Sequence, residues 1–297
     1  MTIEIGKVGG GSIIGDQRAL NVNDVSGLYT NGTEEWLKTG TVDTDVASYP
    51  DAKVGSTTAG TYTGTSFYVG GQDAVPQGIA WDGTYFFVAG FITAKVYKYT
   101  AAGVYTGTSF STSSETTYSN AIAWDGTHLW VVGYLGVIYK YTEAGVYTGT
   151  SFSVAGQDAN TMGITFDGDY FWVTGLTTGA VYKYTSAGVY TGTSFSVAGQ
   201  ASSPSGITFD GANFWVAGQV NNTVYKYTSA GVYTGTSFSV AGQETSPRGI
   251  VTTSTHFWVV GNTTDTAYKY SGAQTFVGSS LEASNTASTF PYYLRIK

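Results

Sequence analysis

Apolar and polar residues recur along the chain in a fixed order that repeats every 42 or 43 residues. Each copy begins with an apolar run that ends at Asp-Gly, continues with an aromatic run such as Phe-Trp-Val, and stops at Gly. Because Asp-Gly tolerates the positive φ of a tight turn, this unit is predicted to form two antiparallel strands. Two further strand-like segments, Tyr-Lys-Tyr and Tyr-Thr-Gly-Thr-Ser-Phe, follow in each period. The pattern therefore predicts four strands per period.

Three sequence markers keep the same phase through the chain. The isoleucine of Ile-x-x-Asp-Gly is Ile79, Ile122, Ile164 and Ile207, and Ile250 keeps the phase without Asp-Gly. The first tyrosine of Tyr-Lys-Tyr is Tyr97, Tyr139, Tyr182, Tyr225 and Tyr268. The segment Tyr-Thr-Gly-Thr-Ser-Phe starts at Tyr62, Tyr105, Tyr147, Tyr190 and Tyr233. Four strands in a period of about 40–45 residues are typical of a β-propeller blade.

Two degenerate segments raise the predicted number of blades to six. Phe276–Leu281 lies in phase with the Tyr-Thr-Gly-Thr-Ser-Phe segments, and Leu28–Lys38 resembles the hairpin with Asn31-Gly32 in place of Asp-Gly. We therefore expect an all-β, six-bladed propeller over residues 28–281, with short N- and C-terminal β tails. The predicted blades are residues 28–67, 79–110, 122–152, 164–195, 207–238 and 250–281. Residues 1–27 are predicted to be an attachment segment, and residues 282–297 a C-terminal strand.

The two tails are predicted to pair with each other. Residues 290–297 have the composition of a strand and would expose unpaired backbone if left free. The expected partner is Ile13–Ile14 or Leu20–Val22, or the same segments of a second subunit. Such a pair would form an attachment or homo-oligomerisation module.

Composition and charge narrow the classes of partner. The net charge of −7 argues against nucleic acid, and no 18-residue apolar run predicts a membrane span. The N-terminus lacks a basic and an apolar signal region, and the chain has no cysteine. A surface rich in Tyr, Thr, Ser and Gly is typical of an extracellular protein. A virus particle assembled in the cytoplasm and later exposed outside accounts for both observations.

The residues that usually carry catalysis are sparse, and the repeat keeps them apart. His128 and His256 fall in different repeats and are interpreted as turn residues. Asp82, Asp125, Asp167 and Asp210 are explained by their turns, and the repeat brings no pair of carboxylates together. We therefore predict no catalytic residue, metal or cofactor. Five lysines, each between the tyrosines of Tyr-Lys-Tyr, either form a basic ring or, as we prefer, pack their stems on aromatic rings: Lys98, Lys140, Lys183, Lys226 and Lys269.

The loops between repeats vary most, and in a propeller they share a face with the loops that join the second and third strands. This variation indicates either specific recognition by that face or neutral drift in surface loops. Amide and aromatic groups suit sugar recognition, because rings stack on sugars and amides bond hydroxyls. The acidic residues either ligate a cation, bond a sugar, or are solvated. The predicted ligand-binding residues are Gln72, Asp73, Tyr118, Gln157, Asp158, Gln243, Glu244 and Arg248.

Two resemblances to known families follow from these motifs. The repeated strand, Asp-Gly and aromatic strand of residues 79–281 resemble propellers of the NHL/YVTN type. The segments from Glu35 to Val42, Tyr49-Pro50 and Pro291–Lys297 resemble parts of tail and virion structural proteins of tailed bacteriophages. The second resemblance implies a location in the virion, attachment to other virion proteins, and no enzymatic activity.

Together these observations predict a non-enzymatic virion component, such as a tail fibre or tail-tip protein. Its partners would be other virion proteins and a glycan or protein of the host cell surface, with no nucleic acid and no membrane insertion. Two alternatives remain: an extracellular or periplasmic propeller lyase or hydrolase, and a purely structural virion scaffold.

Overall fold

The computed structural model describes residues 59–272 in full except Ser202, and elsewhere the backbone of six strands. The chain divides into two compact units, residues 59–272 and the combination of residues 1–58 with residues 273–297. Among the described residues, no helix has the length and apolar character needed to cross a bilayer.

The terminal unit contains two small antiparallel sheets. Its strands are β1 (Ile3–Lys7), β2 (Arg18–Leu20), β3 (Leu28–Asn31), β4 (Glu34–Leu37), β5 (Lys53–Gly55) and, near the C-terminus, β26 (Tyr292–Ile296). The sheet orders are β2-β1-β26 and β3-β4-β5. The predicted pairing of the C-terminal strand with an N-terminal strand is thus confirmed, but the partner of β26 is β1. The role of this pair in attachment stays a prediction, and Ile13–Ile14 lies outside the described residues.

The other unit is a β-propeller whose first strand is β6 (Tyr62–Tyr68). Blades 1 and 2 comprise β7 (Pro76–Trp81), β8 (Tyr85–Gly90), β9 (Lys95–Thr100), β10 (Tyr105–Ser111), and then β11 (Ser119–Trp124), β12 (His128–Gly133), β13 (Val137–Thr142), β14 (Tyr147–Ser153). Blades 3 and 4 comprise β15 (Thr161–Phe166), β16 (Tyr170–Gly175), β17 (Ala180–Thr185), β18 (Tyr190–Ser196), and then β19 (Pro204–Phe209), β20 (Asn213–Gly218), β21 (Thr223–Thr228), β22 (Tyr233–Ser239). Blade 5 comprises β23 (Pro247–Thr252), β24 (His256–Gly261), β25 (Thr266–Ser271) and β6. A 3₁₀ turn, Tyr134–Gly136, joins β12 to β13.

The prediction of six blades is wrong, because the ring has five. The strand that we assigned as the end of a first blade, β6, pairs antiparallel with β25 and completes blade 5. The innermost strands β23 and β7 are in contact, so the ring closes without a further blade. Strands β3, β4 and β5, which we placed in that first blade, form their own sheet. Phe276–Leu281, predicted as the last outer strand, lies outside the described residues.

Aromatic residues of the second strands hold neighbouring blades together. Trp172 of blade 3 lies 4.6 Å from Phe214 of blade 4 between ring centroids, and Trp215 lies 4.7 Å from Phe257 of blade 5. Trp215 and Phe214 are almost completely buried. Burying each such side chain stabilises the fold by roughly 1.5–3 kcal/mol.

The turn aspartates have the structural role that the sequence predicted, together with a second one that it did not reveal. Asp210 Oδ1 accepts hydrogen bonds from the amides of Ala212 and Asn213, which closes the hairpin. Asp210 Oδ2 accepts a 2.7 Å hydrogen bond from Trp215 Nε1, and Asp125 and Asp167 bond Trp130 and Trp172 in the same way. Asp125, Asp167 and Asp210 therefore each fix the turn and a tryptophan that packs on the next blade, whereas Asp82, with Phe87 in place of the tryptophan, fixes only its turn.

The five lysines lie over aromatic rings rather than in a free basic ring, but the ring contact of each is made by its ammonium group and not by its stem. Lys183 Nζ is 3.6 Å from the ring centroid of Tyr170, and Lys98 Nζ is 4.0 Å from that of Tyr85. The ammonium groups of Lys140, Lys226 and Lys269 lie 5.2–5.9 Å from the centroids of Trp130, Trp215 and Trp258. Lys98 also forms a 2.8 Å ion pair with Glu143.

Glycines let the innermost strands approach one another around the axis. A Cβ added at Gly206 would lie 2.7 Å from Arg248 O and from Ile250 N, and at Gly163 it would lie 2.4 Å from Ser205 O. No side chain fits at such separations, because the atoms opposite are backbone. The narrow opening at the axis is lined by Gly, Ala, Ile and Met residues of the five innermost strands. The lining therefore supplies no side chain for acid–base chemistry.

Candidate ligand-binding face

Two sets of loops lie on the same side of the propeller, and we call their side the loop face. The loops that enter each blade are residues 69–75, 112–118, 154–160, 197–201 and 240–246, and those that join its second and third strands are residues 91–94, 134–136, 176–179, 219–222 and 262–265. All eight residues predicted to bind a ligand lie in the entering loops or, in the case of Arg248, directly after one.

The predicted acidic residues connect the two loops of their own blade. Glu244 is fully buried; its Oε1 accepts from the amides of Ser246 and Thr263, and its Oε2 accepts from the amide and hydroxyl of Thr264. Asp73 and Asp158 do the same in blades 1 and 3 through Thr93 and Thr178. These oxygens already accept hydrogen bonds from the protein, so the carboxylates hold the loops together.

The predicted glutamines are also engaged by the protein. Gln72 Oε1 accepts a 2.9 Å hydrogen bond from the Tyr99 hydroxyl, and Gln157 Oε1 accepts one of 2.7 Å from Tyr184. Gln243 accepts from Tyr270 in blade 5. Burial raises the pKa of Tyr99, Tyr184 and Tyr270 well above the ordinary value. The phenols therefore keep their protons at neutral pH and remain donors to the glutamines.

Tyr118 belongs to a group of three rings that we call the aromatic cluster: the half-buried Phe91 and the exposed Tyr118 and Tyr134. The rings of Phe91 and Tyr118 stack at 4.4 Å and 17°, and Tyr134 meets Tyr118 edge-on at 5.7 Å. Tyr118 is 39% exposed and Tyr134 is 52% exposed. The side chains of Ile92 and Leu135 next to them are exposed as well. The cluster thus gives the loop face an open apolar surface at blades 1 and 2.

One threonine positions both tyrosines of the aromatic cluster. Thr116 occupies the place that Asp73, Asp158 and Glu244 hold in other blades, and it is buried. Its Oγ1 donates to Tyr118 O at 2.9 Å and accepts from the Tyr134 amide at 3.0 Å. Leu135, inside the same 3₁₀ turn, has a φ of 60°, a conformation that a leucine rarely adopts. The sequence singled out Tyr118 but not Phe91 or Tyr134, although aromatic residues directly after the strand-ending glycine were a visible signal.

Arg248 lies at the second residue of the innermost strand β23. Its Nη1 donates a 3.1 Å hydrogen bond to Gln219 Oε1, which belongs to blade 4. Burial lowers the pKa of Arg248, and the charge of Glu244 opposes this shift. Within residues 59–272, no group of three acidic or histidine side chains converges in a way that could hold a metal ion. The loop face thus combines an aromatic region, buried carboxylate links and one half-buried cation.

Comparison with known proteins supports the fold. The chain matches no protein-family model and no curated protein. Among solved structures, it is similar to glutaminyl cyclase of Myxococcus xanthus, with a TM-score of 0.53 and 12% identity over 69% of this chain and 93% of that one. It is also similar to virginiamycin B lyase of Staphylococcus aureus, with a TM-score of 0.45 and 16% identity over 82% and 93% of the two chains. The likeness to glutaminyl cyclase therefore supports the β-propeller fold that the sheet topology shows.

The prediction that the chain is not an enzyme is corrected by this comparison. The solved propeller with the TM-score of 0.53 is an enzyme, so the architecture offers no ground for excluding catalysis. At 12% identity the likeness shows the fold alone, and it assigns neither a reaction nor a catalytic residue to this chain. The resemblances to NHL/YVTN propellers and to phage tail proteins find no counterpart in the comparisons.

Proposed function

We propose that the loop face binds a glycan through the aromatic cluster, and that the chain serves as a surface component of a phage particle that contacts the host cell. The observation that carries the binding proposal is the exposure of Tyr118 and Tyr134 on a supported scaffold. Flat apolar sugar faces stack on such rings, and a ring that is already positioned loses little conformational entropy on binding. The location in a virion is supported by the terminal sequence motifs and by the composition of the chain.

Replacing the exposed tyrosines should weaken glycan binding without unfolding the protein. Loss of one stacking contact of roughly 1.4 kcal/mol lowers affinity about tenfold, so we expect Tyr118→Ala and Tyr134→Ala each to show this decrease on a glycan array and in titrations with the best hit. Tyr68→Ala is the control, because Tyr68 is 62% exposed but lies on the outermost strand β6. An unchanged affinity in both variants, with melting temperatures like that of the wild type, would contradict the proposal.

The same titrations also address the alternative of a propeller lyase or hydrolase. The bound glycan is recovered after incubation and its length and reducing ends are measured. Cleavage by the wild type, absent in Tyr118→Ala, would assign the loop face to an enzyme, whereas intact glycan supports recognition.

The proposed location predicts that purified phage particles contain this chain. Mass spectrometry of the particles should detect it, and particles assembled without it should remain intact but adsorb poorly to host cells. If mass spectrometry does not detect the chain in wild-type particles, the proposed location is refuted. Normal adsorption after its removal would instead support a structural scaffold.

A further inference from the structure

The second residue of each innermost strand lies at the point where neighbouring blades meet around the axis. In blade 2, Asn120 Nδ2 donates to Thr161 O of blade 3 at 3.3 Å. In blade 4, Ser205 Oγ donates to Pro247 O of blade 5 at 2.8 Å. Both residues are buried. In these blades the position therefore connects one blade to the next.

Blades 5 and 1 depart from this arrangement where they adjoin. The residues at the position are Arg248 and Gln77, and their strands are close, since a Cβ on Gly249 would lie 2.9 Å from Ile79 N. Arg248 reaches back to Gln219 of blade 4 and not forward to blade 1. Arg248 Nε and Gln77 Oε1 are buried and have no hydrogen-bond partner, and Gln77 as a whole is only 5% exposed. A donor and an acceptor are thus left unsatisfied on adjacent blades.

The unused atoms define the chemistry of a ligand that would satisfy them. Among the described residues, neither Nε nor Nη2 of Arg248 has a partner, and these two atoms form an edge of the guanidinium that matches a carboxylate in a two-point contact. Glu244, the acidic residue whose charge influences Arg248, is occupied by its own four hydrogen bonds. Gln77 Oε1 requires a donor, which a hydroxyl provides. A carboxylate and a hydroxyl on one small molecule describe a hydroxy acid, which among glycan components is a sugar acid.

We propose that Arg248 and Gln77 bind the carboxylate and a hydroxyl of an acidic sugar of the uronate class. The proposal rests on the proposed glycan function and names its ligand class. The one hydrogen bond to Gln219 uses Nη1 and leaves the edge formed by Nε and Nη2 for the carboxylate. The net charge of −7 disfavours nonspecific retention of anions.

The experiment follows the Nε–H resonance of Arg248 in a ¹H–¹⁵N spectrum while D-glucuronate or the neutral D-glucose is added. The chain has three arginines, Arg18, Arg248 and Arg295, so the signal is assigned by its loss in Arg248→Lys. We expect glucuronate to shift this signal and glucose to leave it in place. Arg248→Lys and Gln77→Met should weaken glucuronate binding at least tenfold, as followed by backbone amide shifts. Lys226→Gln, which removes a cation from the third strand of blade 4, should leave binding unchanged.

The outcomes separate this proposal from the proposed function. Equal shifts with both sugars, or no shift with either, would overturn the assignment of an acidic ligand. If glycans bind on the array and depend on Tyr118 but not on Arg248, the proposed function stands and this inference fails. If glucuronate shifts the Arg248 signal while binding of no array glycan depends on the aromatic cluster, the anion site is supported and the proposed glycan function of the aromatic cluster fails.

Discussion

Phe67→Ala is expected to loosen the closure of the ring and to be among the most destabilising single substitutions in the propeller. Phe67 is 7% exposed and lies on β6, with its ring 5.2 Å from that of Trp258 in blade 5 and 5.5 Å from that of Phe86 in blade 1. Truncation of a buried phenylalanine costs about 3–5 kcal/mol, which corresponds to a fall in melting temperature of about 10 °C for a unit of this size. Hydrogen exchange should accelerate in both β6 and β25.

Phe110→Ala provides the matched control for the closing strand. Phe110 occupies the equivalent position on β10, and its ring lies 5.3 Å from that of Tyr141 in the next blade. A short turn connects β10 to its partner β9, whereas β6 is about 200 residues from β25 along the chain. We therefore expect Phe110→Ala to lower the melting temperature but to leave the exchange of β6 and β25 slow. Equal acceleration of this exchange in the two variants would show that β6 does not hold the ring closed.

Gly206→Ala is expected to strain the axis of the propeller. The added methyl would meet Arg248 O and Ile250 N at 2.7 Å and Gly249 C at 3.0 Å, all of which are backbone atoms of the next blade. The two innermost strands must move apart, and overpacking of this kind typically costs about 1–3 kcal/mol. Thermal unfolding should show a midpoint lowered by about 3–10 °C.

Blade 2 supplies the control for this substitution, because Ala121 occupies the same position in the wild type. Ala121→Gly should change the free energy of unfolding by no more than about 1 kcal/mol, the usual cost of glycine relative to alanine within a strand. A Gly206→Ala variant as stable as the wild type would contradict the close approach of the innermost strands of blades 4 and 5.

The local structure was predictable because each repeat contains the residues that specify its own turns and strands. Asp-Gly fixed the first hairpin, and the alternation of Tyr-Lys-Tyr fixed the third strand, as the strands β9 and β21 confirm. The number of blades was not predictable from the sequence, because it depends on which strand completes the sheet of the last blade. Tyr-Lys-Tyr and Tyr-Thr-Gly-Thr-Ser-Phe each occur five times in the sequence and Ile-x-x-Asp-Gly four times, but two weak similarities at the ends suggested one more blade. The sequence of β6 looks the same whether this strand ends a first blade of its own or completes the last blade of the ring.

The candidate site was predictable in position but not in chemistry. Matching phase placed Asp73, Asp158 and Glu244 on one face, and the structure finds them there. Whether a loop carboxylate points outward or accepts backbone amides depends on the partner loop about 20 residues later, and sequence spacing does not encode that geometry. The open surface instead lies at blades 1 and 2, where Thr116 replaces the acidic residue and bonds the backbone of both Tyr118 and Tyr134.

The five outer strands share one sequence, so β6, the strand that closes the ring, has no sequence feature that distinguishes it from the other four. All five outer strands contain the same six residues, Tyr-Thr-Gly-Thr-Ser-Phe, and all pair with a third strand built around Tyr-Lys-Tyr. During synthesis, β6 leaves the ribosome long before β25 and must wait unpaired while equivalent partners emerge. At high concentration, β6 of one chain has the same complement in β25 of a second chain as in its own. The repeated strand sequence therefore does not distinguish closure of the ring within one chain from strand exchange between two chains.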